Sequence, residues 1–265
     1  MRNFLTFAIA LMMTFTLSAQ ESERKLLSIE DVVLNRELSP KTFPVQWVGQ
    51  SDSYSTVEGE TLVATDAHRL VRYTNGSVKG SQAVSFILPK KPAQLLKQVL
   101  QKEAEEVKVT FGQKNAKFEF GSTVMICRQI EGRFPNYNAV IPQNNTNKVL
   151  VDRQTIVNAC KRVAVFANTG TSLLKLALSE NKIKISAQDI DFSTSAEETI
   201  SCDYSGMPMA IGFKAPFLIE ILSNVASQEV VLQLADPARA GLILPAENEE
   251  GQDLLILLMP MLLND

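Results

Sequence analysis

The sequence predicts an α+β fold in which antiparallel sheets are backed by a few helices. Three observations carry that expectation. Short runs of alternating apolar and polar residues recur along the chain: Val84-Phe86-Leu88, Val107-Val109-Phe111, Phe118-Phe120, Leu174-Leu176-Leu178, Ile183-Ile185, Val230-Leu232-Leu234 and Leu254-Ile256. Three amphipathic stretches of helical period interrupt them. A displacement of 123 residues also lays the chain on itself, with Lys91 on Lys214, Leu95 on Leu218, Leu96 on Ile219, Val99 on Leu222, Glu106-Val107 on Glu229-Val230 and Phe111 on Leu234. A period that long marks a duplicated domain-sized unit rather than a solenoid.

Composition bounds the rest. The 265 residues suit one to three small domains with a real core, and 21% charged residues with ordinary Gly and Pro counts exclude disorder, collagen and a disulfide scaffold. A single His and three widely spaced cysteines (Cys127, Cys160, Cys202) leave no motif for a zinc or C-x-x-C redox site, so neither metal nor cofactor is expected. The formal charge of −3 divides unevenly: residues 1–63 carry 5 basic and 8 acidic side chains, and residues 64–265 carry 21 of each. The acidity therefore belongs to the start of the chain, and the remainder is balanced.

Residues 1–20 read as an export signal, with Arg2 at the start, an apolar run over 4–17 and small residues Ser18 and Ala19 before Gln20. The run is short for a bilayer span. Export implies an oxidising compartment, whereas the odd cysteine count and its spacing fit a reducing one. Residues 21–61 form a leader with a weak helix-capping pair, Ser28 and Asp31, breaks at Pro40 and Pro44, and a strand expected over 45–48. This leader resembles the opening of exported dipeptidyl-peptidase-type serine peptidases. It implies no peptidase activity, because the chain holds no G-x-S-x-G elbow for a nucleophile.

The helices follow. Over 92–101, Leu95, Leu96, Val99 and Leu100 share a face behind Pro92. Over 153–166 the inward residues are Ile156, Cys160, Val163 and Ala164, and over 216–225 they are Leu218, Ile221, Leu222 and Val225.

Three segments, in order, carry a more specific resemblance: Leu62-Val63-Ala64-Thr65-Asp66-Ala67-His68-Arg69-Leu70-Val71, then Glu131-Gly132-Arg133-Phe134-Pro135-Asn136-Tyr137 with Val140 and Pro142, then Leu258-Met259-Pro260-Met261. Together they resemble the bacterial β sliding clamp, the processivity subunit of DNA polymerase III, from about residue 62 to 265. The resemblance implies the processivity-clamp fold, with part of the family's second domain over 62–142 and its third over 145–265. It implies a non-enzymatic, cytoplasmic replication factor that encircles double-stranded DNA without reading sequence. Its partners would be DNA polymerase III and clamp-loader subunits, and a second copy in a homodimer. Without the first domain, a ring of two copies is not expected to close, and the incomplete second domain is expected to expose a sheet edge or apolar patch. The other reading is an exported chimeric or truncated protein whose clamp-like part is a binding module with no replication role.

The resemblance also implies a peptide-binding pocket at Thr65, His68, Arg69, Leu70, Pro135, Tyr137, Val140, Met259, Pro260, Met261 and Leu262. Leu70, Val140 and the Met-Pro-Met tail would supply an adaptable apolar slot, while Arg69 and Thr65 would orient the peptide. Ala139 and Leu262 stand where many members carry arginine, so a less polar rim is expected. Lys90, Lys91, Lys97 and Lys102 on or near the first helix and Arg153, Lys161 and Arg162 on the second would face DNA through weak, salt-sensitive phosphate contacts. His68 beside Asp66 has no second His or nucleophile, which argues against catalysis. Cys127 and Cys160 read as buried structural thiols.

Overall fold

A computed structural model describes residues 26–28, 54–58, 61–76, 85–103, 107–112 and 114–263. The signal over 1–20 and the strand expected over 45–48 lie outside the described residues. The strands are β1 (Leu26–Ser28), β2 (Tyr54–Glu58), β3 (Thr61–Thr65), β4 (Arg69–Asn75), β5 (Ser85–Pro89), β6 (Val107–Phe111), β7 (Asn115–Phe120) and β8 (Thr123–Arg128). They continue as β9 (Asn147–Asp152), β10 (Leu173–Ser179), β11 (Lys182–Asp189), β12 (Thr194–Ser201), β13 (Met209–Lys214), β14 (Glu229–Leu234), β15 (Gly241–Pro245) and β16 (Gln252–Leu258). Three α-helices are described: α1 (Lys90–Glu103), α2 (Arg153–Ala164) and α3 (Ala215–Asn224).

One order of elements occurs twice. β2 to β5, α1 and β6 to β8 are followed by β10 to β13, α3 and β14 to β16, with the same antiparallel ladders in each copy. In the first, β5-β2-β3-β4 and β1-β6-β7-β8 run side by side; in the second, β13-β10-β11-β12 and β9-β14-β15-β16. The halves are then joined, because β4 and β16 bond antiparallel from Gln252 opposite Asn75 to Leu258 opposite Arg69. The result is one eight-stranded sheet, β5-β2-β3-β4-β16-β15-β14-β9, flanked by two sheets of four strands. β2 lies within that sheet, paired with β3 and β5, although the resemblance read from sequence began only at about residue 62.

The main core lies between β9 to β16 and helices α2 and α3, where Leu174, Leu176, Ile183, Ile185, Ile211, Leu218, Ile221 and Leu222 are all fully enclosed. A smaller core holds Leu96 of α1 against Val109, Phe118, Phe120 and Cys127. α1 begins at Lys90, earlier than expected, and its buried stripe is Ala93 and Leu96 backed by Val99 and Leu100. Leu95, expected on that stripe, is 45% exposed: it stands about 100° round the helix from Leu96, which takes the buried position.

α2 is capped by Asp152, whose carboxylate accepts from the Thr155 N–H at 2.7 Å. The Thr155 hydroxyl and N–H hold the Asp152 carboxyl below its ordinary range. At the far end of the helix's burial, desolvation raises the Cys160 thiol to about 12, so it stays protonated and unreactive at neutral pH. Cys127 is also buried, and Cys202 is half-buried.

Removing the cap in Asp152→Ala is expected to cost about 1 kcal/mol of stability in urea unfolding at neutral pH. A lowered carboxyl pKa stabilises the fold above the unfolded value, and that contribution is lost as pH falls through the folded value. The gap between the unaltered chain and Asp152→Ala should therefore narrow in acid, and an undiminished gap would refute the capping account. In native thiol titration, Cys202 should react first and Cys160 only on unfolding.

Candidate functional site

The turn between β3 and β4 is built from its own side chains. Asp66 Oδ1 accepts from the N–H groups of His68 and Arg69 at 3.1 and 2.8 Å. The Thr65 hydroxyl donates to the Arg69 carbonyl at 2.8 Å and accepts from the Ala67 N–H at 3.3 Å. Ala67 takes φ of 68°, a left-handed position uncommon for a residue with a Cβ, and the Thr65 and Asp66 hydrogen bonds hold the turn around it. Thr65 thus serves the turn rather than standing free to orient a ligand.

Arg69 departs furthest from its expected role. Its side chain is 1% exposed. The guanidinium bonds Asp66 Oδ2 through Nε at 3.0 Å and Nη2 at 2.9 Å, and reaches Glu220 Oε2 on α3 at 2.8 Å. Its carbon lies 4.2 Å over the Phe217 ring. These contacts leave the group braced inside the fold, where it ties the turn of the first half to α3 of the second. Phe217 also meets the His68 ring at 5.9 Å between centroids and the Lys214 ammonium at 5.1 Å. His68 itself is exposed.

The other two segments meet this turn. The Met259 N–H donates to the His68 carbonyl at 2.9 Å, continuing the β4–β16 ladder past its end. The Met261 N–H donates to the Gly212 carbonyl at 2.8 Å, so the tail crosses onto β13. A Cβ on Gly212 would come within 2.7 Å of the Met261 carbonyl, 2.8 Å of Leu173 and 2.9 Å of Leu263, which is why the position is glycine. From the other side, Leu70 packs with Val63, Ile141, Ala240, Leu242, Leu255 and Leu257, joined by half-buried Phe134 and Tyr137. Phe134 and Tyr137 make an edge contact at 6.3 Å.

The start of β4 therefore gathers all three segments. Leu70 belongs to the floor at 3% exposed, Tyr137, Pro260 and Met261 are half-buried, and Pro135 is exposed. Val140, Met259 and Leu262 present apolar surface at 59%, 44% and 77% exposure. Sequence reasoning missed Phe217, Glu220, Gly212 and Leu242. The one signal was Phe217, a large aromatic lying off the buried Leu218-Ile221-Leu222 stripe of its helix.

Two of the basic residues expected to face DNA, Arg153 and Arg162, are bonded within the fold. Arg153 donates to the Ser227 carbonyl at 2.9 Å and to that of Leu222 at 3.4 Å, fastening α2 to the end of α3. Arg162 makes a two-pronged pair with Glu198 at 3.0 and 2.6 Å. Lys91 and Lys161 are exposed, and Lys90 is partly buried. Partial burial lowers the Lys97 pKa while Glu220 pulls it the other way. The Lys102 side chain lies outside the described residues.

Comparison with known proteins gives a consistent result. Residues 54–136 match the central domain of the DNA polymerase III beta subunit, and residues 138–261 match its C-terminal domain. The Haemophilus influenzae beta sliding clamp is 31% identical over 206 residues, covering 77% of this chain and 55% of that protein. The Escherichia coli K12 beta sliding clamp is 29% identical over the same length, with the same coverage. The chain thus spans about half the length of these relatives. Among solved structures, a Pseudomonas aeruginosa DNA polymerase sliding clamp with ligand superposes with a TM-score of 0.77 at 25% identity, covering 93% of this chain and 68% of that one. A Bartonella birtlesii sliding clamp bound to griselimycin gives 0.74 at 26% identity, covering 94% and 68%.

Arg69→Ala should destabilise the chain by about 3 kcal/mol, since it strands the buried Asp66 carboxylate; Arg69→Lys, lacking the fork, should rescue little of this. Urea unfolding checks both. Gly212→Val should release the tail, seen as new protease cleavage near Met261 with most of the fold's stability retained.

Proposed function

The chain belongs to the DNA polymerase III β-subunit family, the sliding clamps, and on that premise we propose that it serves DNA replication as a processivity clamp component. It holds a polymerase or another replication or repair protein at double-stranded DNA by binding a short peptide segment of that partner, without chemistry of its own. The carrying observation is the convergence at the start of β4 of 65–70, 134–141 and 259–262, which lie far apart in sequence. Apolar side chains of the partner would settle against Val140, Met259 and Leu262 above the Leu70, Leu242 and Leu257 floor. Arg69, Asp66 and Glu220 keep the turn beneath that surface fixed, which lowers the ordering cost of binding.

DNA polymerase III and clamp-loader subunits are the partners this reading implies. DNA would be held by encirclement, with Lys91 and Lys161 contributing loose, salt-screened attraction. This reading implies a cytoplasmic protein. The three free thiols are in keeping with that, Cys160 being wholly enclosed.

The test is calorimetric titration of the folded chain with a clamp-binding peptide of a polymerase III subunit. Saturable binding is expected, with Val140→Ser and Met259→Ser each weakening it about tenfold, or about 1.4 kcal/mol. Absence of heat from a chain shown to be folded would sink the proposal.

A further inference from the structure

The apolar surface gathered at the start of β4 is bordered on one side by charge. An antiparallel bridge sets Met261 opposite Gly212, and the register carried on from it brings Lys214, two residues along β13, towards Met259. Side chains two apart on a strand share a face, and a Cβ on Gly212 would meet the tail, so Lys214 stands on the face that the tail crosses. Its ammonium lies 5.1 Å from the centroid of the Phe217 ring. The His68 ring meets the same phenyl at 5.9 Å, while the His68 carbonyl accepts the Met259 N–H. Lys214, Phe217 and His68 thus form a ledge beside Met259.

Charge around this ledge does not balance. Asp66 and Glu220 are both bonded to Arg69, and Glu220 also attracts Lys97. With Lys214 included, three cations stand against two carboxylates. Among the described residues no carboxylate pairs with Lys214. Ala139 and Leu262, exposed on the same surface, bring no charge of their own. Repetition does not account for the arrangement either. The 123-residue displacement sets Lys91 at the place of Lys214, but Gln94 at that of Phe217 and Lys97 at that of Glu220. The aromatic ring beside the cation therefore belongs to the second half alone.

We propose that Lys214 selects partner segments that carry a carboxylate side chain next to the apolar residues seated on Val140, Met259 and Leu262; the inference rests on the peptide-binding reading of that surface. The carboxylate settles beside Phe217 and accepts from the Lys214 ammonium, and the His68 ring can donate an N–H to the same group. A lysine stem held against a ring has already lost part of its freedom, so less is lost when the ion pair forms. Charge then decides among segments that a methionine-lined slot would otherwise accept alike. An amide in that place forfeits the ion pair, and a cation meets repulsion.

Fluorescence anisotropy of the full chain with labelled forms of the clamp-binding polymerase III peptide tests this. The peptide is amidated at its end, so that only side-chain carboxylates count, and each position is occupied in turn by Asp and by Asn. At one position the Asp form should bind about tenfold tighter than the Asn form. Lys214→Gln should bring the two forms level, Lys214→Arg should keep the preference, and Lys182→Gln, at an exposed position on β11, should leave it intact. Circular dichroism checks the fold of each variant, and Lys214→Met replaces Lys214→Gln if the latter perturbs it. Equal binding of the Asp and Asn forms at every position would overturn the selection and leave the peptide site standing. A preference that survives Lys214→Gln, or that Lys182→Gln abolishes equally, would overturn it too, since the carboxylate would then be received elsewhere. Failure of every form to bind would remove both the selection and the peptide-binding reading beneath it.

Discussion

The β4–β16 ladder is the constraint on which the rest of the molecule depends. It is a contact between residues nearly two hundred positions apart, and it turns two similar halves into one sheet. It also explains why the places between Leu254, Ile256 and Leu258 are apolar too, filled by Leu255 and Leu257. Ile256 and Leu258 face the main core, and Leu255 and Leu257 face the cluster around Leu70. Both sides of β16 are therefore buried, as in the interior strand of a layered sheet. A slip of one residue would exchange those two sets and separate Arg72 from Asp253, which now meet at 2.9 Å across the ladder.

The same ladder sets the geometry of the candidate site. Its last pair brings Leu258 to Arg69, and the next hydrogen bond brings Met259 to His68. Beneath that point the Asp66–Arg69–Glu220 chain of ion pairs joins the two halves a second time, now through side chains. Buried charges of this kind add little to stability by themselves, but they accept one arrangement and reject others. An adaptable surface of methionine, valine and leucine rests on a support that is polar, saturated and stiff.

Duplication gives equivalent backbones without giving equivalent environments. α1 and α3 follow corresponding strands, but α1 bears a run of lysines and α3 supplies Phe217 and Glu220 to the Arg69 network. β12 is a polar strand, Thr-Ser-Ala-Glu-Glu-Thr-Ile-Ser, and its counterpart β4 is almost wholly enclosed. A common topology has been decorated differently at each edge, and the edges differ in what they can meet.

Much was legible in the sequence. Period-two alternation marked β5, β6, β7, β10, β11, β14 and β16, and period 3.6 marked all three helices, because one buried face imposes its spacing on a regular element wherever it lies. The 123-residue register and the three clamp-like segments were local facts of the same kind. β1 to β4, β9, β12, β13 and β15 were not marked by alternation; an edge strand with little buried surface, such as β12, or one enclosed on both faces, such as β15, need not alternate. Arg69 is enclosed where the sequence suggested an accessible group, for a related reason. An arginine beside a turn reads as exposed until Glu220 and Phe217, about 150 residues away, are seen to enclose it. The expected roles of Arg153 and Arg162 changed in the same way once their partners on other elements came into view. The sequence by itself determined which elements form and which family they belong to, because those follow from near-neighbour patterning. Only the tertiary structure decided which charges are spent internally and which strands are enclosed on both faces, because both depend on contacts that no local pattern encodes.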